Sequence, residues 1–257
     1  MSGWNHMYII KMVTINNIAI LKFNRGVTNP LNLDFLEMIL EKISEIKKND
    51  NIKGLVITSN NDKFFSMGFD LPELYQLETK EVEKFYRTFN QLCLELYSFP
   101  KPTVAAITGH AIAGGCILTL CCDYRFISEG KKLMGLNEIK LGIPMPYIAQ
   151  CMLEHIVSPK HAREIIDTGE FLGPENLLDM GLVDKIFPVD KVQDGAVECL
   201  NTLGNYPNRA FEINLLKRKV DIRSKIESKL DEDLRYFIEC WQRPEVRKLV
   251  AEAIKKF

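Results

Sequence analysis

Two short runs rich in β-branched and aliphatic residues open the chain. Tyr8-Ile-Ile-Lys-Met-Val and Ile18-Ala-Ile-Leu-Lys-Phe flank Ile15-Asn16-Asn17, a pattern that predicts a β-hairpin. Leu36, Ile39, Leu40, Ile43 and Ile46 then recur at three- and four-residue steps. They lay an apolar stripe along a helix from about Leu33 to Lys48, with Asn32 as its cap. Gly54-Leu-Val-Ile-Thr58 reads as a buried strand, followed by a loop rich in Asn, Asp and Gly. A second helix is predicted from about Thr79 to Phe99, with Val82, Phe85, Phe89, Leu92 and Leu96 on one face. Pro100 and Pro102 stop it. Thr103–Ile107 and Tyr124–Ile127 are further strands, and strands alternating with helices predict an α/β fold.

After about Gly142 the pattern turns helical. His161–Asp167, Pro174–Met180 and Val192–Leu203 read as helices around one short strand within Leu182–Pro188. From Arg209 onward nearly everything is helical, with frequent Lys and Arg, and no Gly/Ser-rich linker precedes it. The expected organisation is an α/β core over residues 1–200 and a helical C-terminal region over 201–257. Such tail helices either cap the core or make oligomer contacts, and the pattern alone leaves both open.

Composition narrows the function classes. The chain has 257 residues, enough for one large domain or one plus an appendage. Its 33 Lys and Arg against 34 Asp and Glu give a net charge of −1, which argues against broad nucleic-acid or membrane-surface binding. Seven cysteines, single apart from Cys121-Cys122 and without a C-x-x-C, read as reduced thiols in a reducing compartment. Met1 to Arg25 lacks signal-peptide character, and Lys255-Lys256-Phe257 is not a peroxisomal tripeptide, so a cytoplasmic location is expected. Thr103–Cys122 is a run of 20 residues without a charged side chain, which is membrane-spanning length. Its threonines, His110 and three glycines instead predict a strand, a glycine turn and a buried helix.

Three segments stand out chemically: Phe64-Phe-Ser-Met-Gly-Phe-Asp70, Gly109-His-Ala-Ile-Ala-Gly-Gly-Cys116, and Gly135-Leu-Asn-Glu-Ile-Lys-Leu-Gly-Ile-Pro144. Gly114-Gly115 at a helix start is either a tight turn or a place where backbone amides approach a ligand closely. No Gly-Lys-Ser/Thr, G-x-G-x-x-G or G-x-S-x-G occurs, and the four histidines lack metal-ligand spacing, so no metal site is expected. Cys116 reads as an inert apolar residue. His110 either orients its loop or touches a ligand. Glu138 on its own reads as a solvated loop acid, and Asp70 and Asp123 as structural caps or ion-pair partners.

Taken together these segments resemble the crotonase (enoyl-CoA hydratase/isomerase) superfamily. Lys101–Cys116 continuing to Cys122-Asp-Tyr-Arg125 is similar to that family's central signature, and Phe65-Ser-Met-Gly-Phe-Asp-Leu to its first oxyanion segment. The likeness takes in Asn29-Pro-Leu-Asn32, Thr168-Gly169 and Gly181-Leu-Val-Asp184, and weakens past about Asn205. It implies a crotonase-like fold of stacked ββα units with a helical C-terminal subdomain, in trimers or dimers of trimers. It also implies an acyl-CoA substrate, with no cofactor beyond the coenzyme A thioester itself. By the same resemblance Phe69 N–H and Gly114 N–H form an oxyanion hole. Met67 and Gly68 would meet the adenine end of coenzyme A. Asp70 and Ile117 complete the expected binding residues. A neutral chain that binds phosphates needs a local basic patch, for which Arg25, Lys63 and tail lysines are the expected sources.

The acids select the reaction. Family hydratases carry two glutamates, and the first of those positions is Ile117 here, while the second matches Glu138. One carboxylate beside an oxyanion hole suits proton transfer from C2 to C4 of a 3-enoyl thioester through a dienolate. Ile139, Leu141, Ile143 and Pro144 would desolvate Glu138 and raise its pKa. The wording around Glu138 resembles most the Δ3,Δ2-enoyl-CoA isomerase branch, so isomerisation is expected. Hydration or another acyl-CoA reaction, and non-catalytic acyl-CoA binding, are the alternatives. Phe69, Ile117, Met145 and Tyr147 are expected to shape the acyl pocket.

Overall fold

The computed structural model describes residues 9–206 and 208–255; Tyr8, the expected start of the first strand, and the terminal residues Met1–Met7, Lys256 and Phe257 lie outside them. The hairpin pairs β1 (Ile10–Ile15) with β2 (Ile18–Phe23). Asn16 and Asn17 close it at φ 49° and 65°, the turn whose backbone twist matches that of the flanking strands. Next comes α1 (Leu33–Lys48), which starts where Asn32 Oδ1 accepts the Phe35 N–H at 3.1 Å.

A repeating unit follows: long strand, short strand, helix. β3 (Gly54–Ser59) and β4 (Phe64–Ser66) lead to α2 (Leu71–Leu74) and α3 (Thr79–Tyr97). β5 (Thr103–Ile107) and β6 (His110–Ile112) lead to α4 (Gly114–Leu120). β7 (Tyr124–Ser128) and β8 (Met134–Gly135) lead to a 3₁₀ turn (Glu138–Leu141) and α5 (Tyr147–Ile156). The long strands belong to a six-stranded sheet, and β4, β6 and β8 form a separate three-stranded parallel sheet. This is the stacked ββα architecture of the crotonase fold.

The chain continues through α6 (Pro159–Thr168), α7 (Pro174–Asp179), β9 (Lys185–Phe187) and α8 (Val192–Leu203). It then enters α9 (Asn208–Glu227), α10 (Leu230–Trp241) and α11 (Pro244–Ile254). The large sheet runs β1-β2-β3-β5-β7-β9, antiparallel between β1 and β2 and parallel thereafter. Val192, Ala196 and Leu200 of α8 pack with Ile20, Val56 and Val104 on one face. The main core, with Phe23, Phe35, Phe85 and Phe89, fills the other. Burial on both faces explains why β3 and β5 read as unbroken apolar runs rather than alternating ones.

Among the described residues no helix is long and apolar enough to cross a membrane. The uncharged run Thr103–Cys122 is β5, a glycine turn with β6, and the buried α4.

Candidate active site

Parallel pairing of β4, β6 and β8 sets Phe64 against His110 and Ile112 against Gly135. The three chemistry-bearing segments are therefore the exits of three neighbouring strands. Met67–Asp70 follows β4, Ala113–Gly115 follows β6, and Leu136–Glu138 follows β8. Segments separated by tens of residues in sequence meet because parallel strands end on the same edge.

The first two exits are in atomic contact. A Cβ on Gly68, whose φ is 92°, would lie 3.0 Å from Gly114 N and 2.9 Å from Ile112 O. Only glycine permits that approach and that backbone angle. The bonds holding the turns run through other groups than the two expected donors. Leu31 N–H donates to Gly68 O, Asp70 N–H to Leu31 O, and Ala113 N–H to Gly135 O, each at 2.8 Å. Ala113 sits at φ 47°, ψ −122°, a sparsely populated conformation for a residue with a side chain, directly before Gly114. The Phe69 ring is wedged edge-on against Phe85 and Phe89, both at 4.8 Å.

Glu138 begins the 3₁₀ turn and is 8% exposed, so the solvated-loop reading is overturned. Its Oε2 is buried without a hydrogen-bond partner. Burial pushes its carboxyl up to about 7, opposed only by a hydrogen bond from its own backbone amide. Two remote helices pack against the flanks of its turn. A Cβ on Gly142 would lie 3.0 Å from Val246 of α11, and one on Gly169, after α6, 2.9 Å from Ile139. Leu141, Ile143 and Pro144 face the same cavity as Glu138, whereas Ile139 is 54% exposed and contributes little to its desolvation. Cys116 is buried nearby, its thiol pushed up to about 12 first by burial and then by the Glu138 charge, so it stays protonated.

The cavity shared by Phe69, Gly114 and Glu138 has a volume of about 600 Å³. Its wall is mostly apolar, with Leu71, Ile143, Pro146 and Phe237 among its members. His110 lines it too. Leu133 N–H donates to His110 Nδ1 at 3.0 Å, which leaves the ring proton on Nε2. Burial, then the neighbouring Lys132 and Lys63, lower its pKa. His110 thus both orients its loop and faces the cavity.

The structure separates the other expected residues. Met67 lines the cavity, while Gly68 shapes the turn behind it. Arg25 and Asp70 do not line it: they pair with each other at 2.7 Å, and Arg25 also donates to Pro30 O and lies 3.5 Å from Glu73. Asp70 caps α2 by accepting the Glu73 N–H. Ile117 is fully buried in the main core rather than in the cavity wall. Lys63 influences His110 by its charge but lies outside the wall, as do Met145 and Tyr147. Asp123 is structural, accepting from the Thr103 N–H and hydroxyl and pairing with Lys219 at 2.8 Å.

Sequence reasoning missed the contribution of the tail. Phe237 of α10 and Leu249, Glu252 and Ala253 of α11 line the cavity, so the C-terminal helices build part of the site. Their helical character was legible, but nothing local shows which cavity a distant helix will cover.

Fold and site together define a class: stacked ββα units whose strand exits bring a buried, protonatable carboxyl and two glycine-bearing turns to one acyl-sized cavity. A family model for enoyl-CoA hydratase/isomerase matches residues 14–257, and the chain belongs to that family, the crotonase superfamily. Human mitochondrial enoyl-CoA delta isomerase 1 is 27% identical over 232 residues, covering 90% of this chain and 77% of its own. A short-chain-enoyl-CoA hydratase of Clostridium acetobutylicum is 26% identical over 242 residues, covering 93% and 92%. The crystal structure of human mitochondrial delta3-delta2-enoyl-CoA isomerase superposes with a TM-score of 0.93 at 25% identity, over 96% of this chain and 97% of that one. An enoyl-CoA hydratase structure from Bacillus halodurans shares the fold at a TM-score of 0.88 and 20% identity, over 95% and 99%.

Proposed function

We propose that the protein is an enoyl-CoA delta isomerase, moving the double bond of a 3-enoyl-CoA to the 2-position. The observation that carries this reading is Glu138: a buried carboxyl with an unpartnered oxygen and a pKa of about 7, in an apolar cavity. A base poised near neutrality accepts and returns a proton with little free-energy cost either way. Glu138 takes the C2 proton, the electron pair moves into the thioester to give a dienolate, and the same carboxyl returns the proton to C4. The dienolate oxygen sits against Phe69 N–H and Gly114 N–H, donors fixed by the fold before charge develops on it. No water enters the balance.

Hydration would need a second carboxylate to hold a water. Ile117, fully buried and apolar, supplies none at the position where family hydratases carry their first glutamate. Two observations favour hydration: a hydratase relative of nearly the same identity as the isomerase, and Glu252, a second carboxylate in the cavity wall, which is solvent-exposed on α11. A purely binding role is disfavoured because burying an unpartnered carboxyl costs stability that binding does not require. Glu138→Gln should lower isomerisation roughly 10²- to 10⁴-fold while acyl-CoA affinity stays near wild type. Glu252→Gln should leave isomerisation unchanged. Steady-state kinetics with a 3-enoyl-CoA checks both, and full activity of Glu138→Gln removes that residue from its role.

The substrate arm needs cations at the cavity mouth. Lys63 and Lys132, which flank His110, are better placed for the coenzyme A phosphates than Arg25, whose charge is met by Asp70. The cytoplasmic expectation is a separate proposal, tested by locating the tagged protein in its own cells, since the human relative is mitochondrial by name.

A further inference from the structure

Ser66 touches both turns that supply the amide donors. Its hydroxyl donates to Asn29 O at 2.8 Å and accepts the Gly68 N–H at 3.1 Å. The second turn is seated on the same residue: a Cβ on Gly115 would lie 2.4 Å from Ser66 O and 2.7 Å from Ser66 Cβ. Ser66 is fully buried. One small side chain thus meets the residue before Phe69 and the residue after Gly114.

Its anchor is itself rigid. Asn29 is 0% exposed and held at φ 44°. Its Nδ2 donates to Ser59 Oγ at 2.9 Å, Phe65 O at 3.1 Å and Phe64 O at 3.3 Å, and its Oδ1 accepts the Arg25 N–H at 2.8 Å. Asparagine tolerates positive φ better than most residues, and these four bonds fix Asn29 there. Gly68 is the opposite case, free to rotate except where something holds it. The peptide between Gly68 and Phe69 aims the Phe69 N–H. The Leu31 N–H holds its carbonyl, Gly68 O, at 2.8 Å, and the Ser66 hydroxyl holds the peptide just before it through the Gly68 N–H. The two bonds bracket the Gly68 backbone that sets the direction of the Phe69 N–H.

We propose that Ser66, anchored on Asn29, is a positioning residue that sets the direction of the Phe69 N–H and its spacing from the Gly114 N–H. This rests on the reading of those two amides as the oxyanion hole. The Phe69 ring keeps its contacts with Phe85 and Phe89 without the hydroxyl, so substrate still binds when the amide is mis-aimed.

Ser66→Ala keeps the Cβ beneath Gly115 and removes only the hydroxyl. It should lower kcat on the order of 10²-fold, the scale of a donor lost or displaced by about 1 Å. KM and the affinity for a saturated acyl-CoA should stay near wild type. A second readout does not depend on isomerisation: the ultraviolet enolate band of a bound 3-oxoacyl-CoA, which the two donors stabilise, should be lost. Thr58→Val is the control, since it removes a buried hydroxyl bonded to Ala106 O at 2.7 Å in the large sheet. It should lower Tm and leave kcat and the band intact. If Ser66→Ala does not fold, Ser66→Cys, which keeps a weaker hydrogen-bonding atom in place, should show the same split at smaller size.

Unchanged kcat and enolate band in the folded Ser66 variant overturn the proposal alone. So does a fall in kcat matched by an equal loss of saturated acyl-CoA binding. A wild-type protein with neither turnover nor an enolate band overturns the oxyanion reading and this proposal with it.

Discussion

Glu138 sets stability against chemistry. Its folded pKa of about 7 lies above the ordinary 4.5, so between those values the folded protein holds a proton that the unfolded chain has released. Its contribution is therefore fully present below about pH 4.5, falls as pH rises through the window, and is lost above about 7. The shift corresponds to about 3 kcal/mol. Glu138→Gln, uncharged throughout, should gain up to about 3 kcal/mol over wild type at pH 8 and lose most of that advantage at pH 4.5. Denaturant melts at the two pH values check this, and equal differences at both would show a carboxyl with an ordinary pKa. An acid among apolar neighbours was legible at Glu138 from the chain alone. Its burial was not, because the cavity it faces is walled in part by Phe237 and Leu249 from far along the sequence. Arg25 misled for a related reason: a cation near a candidate phosphate site reads as free until Asp70, 45 positions away, is seen to claim it.

Elements with enough residues to show a period matched the structure closely. The predicted α1 and α8 coincide with Leu33–Lys48 and Val192–Leu203, and β5 with Thr103–Ile107. β4, β6 and β8 span only three, three and two residues, too few for alternation to register, so the small sheet was invisible. The resemblance supplied the ββα stacking that periodicity could not. Helix α10 shows a further limit. Asp233 on it accepts the Tyr86 hydroxyl at 2.7 Å and the Tyr147 N–H at 3.0 Å, tying α10 to α3 and α5. Phe237, one turn on, stacks on Tyr86 at 4.1 Å and presents itself to the cavity. Phe237→Ala should cost about 3–5 kcal/mol of stability and shift relative kcat/KM toward longer acyl chains. A chain-length series of 3-enoyl-CoA substrates measures the shift, and an unaltered ratio would mean Phe237 does not bound the acyl chain.

At the scale of the molecule, a charge of −1 reflects local pairing rather than an absence of cations. Lys140, in the cavity wall, is met by Glu170 at 2.7 Å and Lys219 by Asp123 at 2.8 Å, while the charges of Lys63 and Lys132 act on His110 in the same wall. Leu216 and Val220, one turn apart on α9, and Tyr236 of α10 are 46%, 52% and 52% exposed. The trimer or dimer of trimers implied by the family resemblance predicts three or six times the monomer mass in light scattering, and a monomer at micromolar concentration would contradict that assembly. The fold admits several acyl-CoA reactions, so the burial of the cavity's carboxyls, Glu138 buried and Glu252 exposed, carries the choice among them rather than the architecture. The most direct test incubates the purified protein separately with a 3-enoyl-CoA and a 2-enoyl-CoA and identifies the products by mass spectrometry and chromatography. Conversion of the first to its 2-enoyl isomer, with little 3-hydroxyacyl-CoA from the second, is the predicted result. Rapid formation of 3-hydroxyacyl-CoA without isomerisation, or binding of both without turnover, would contradict it.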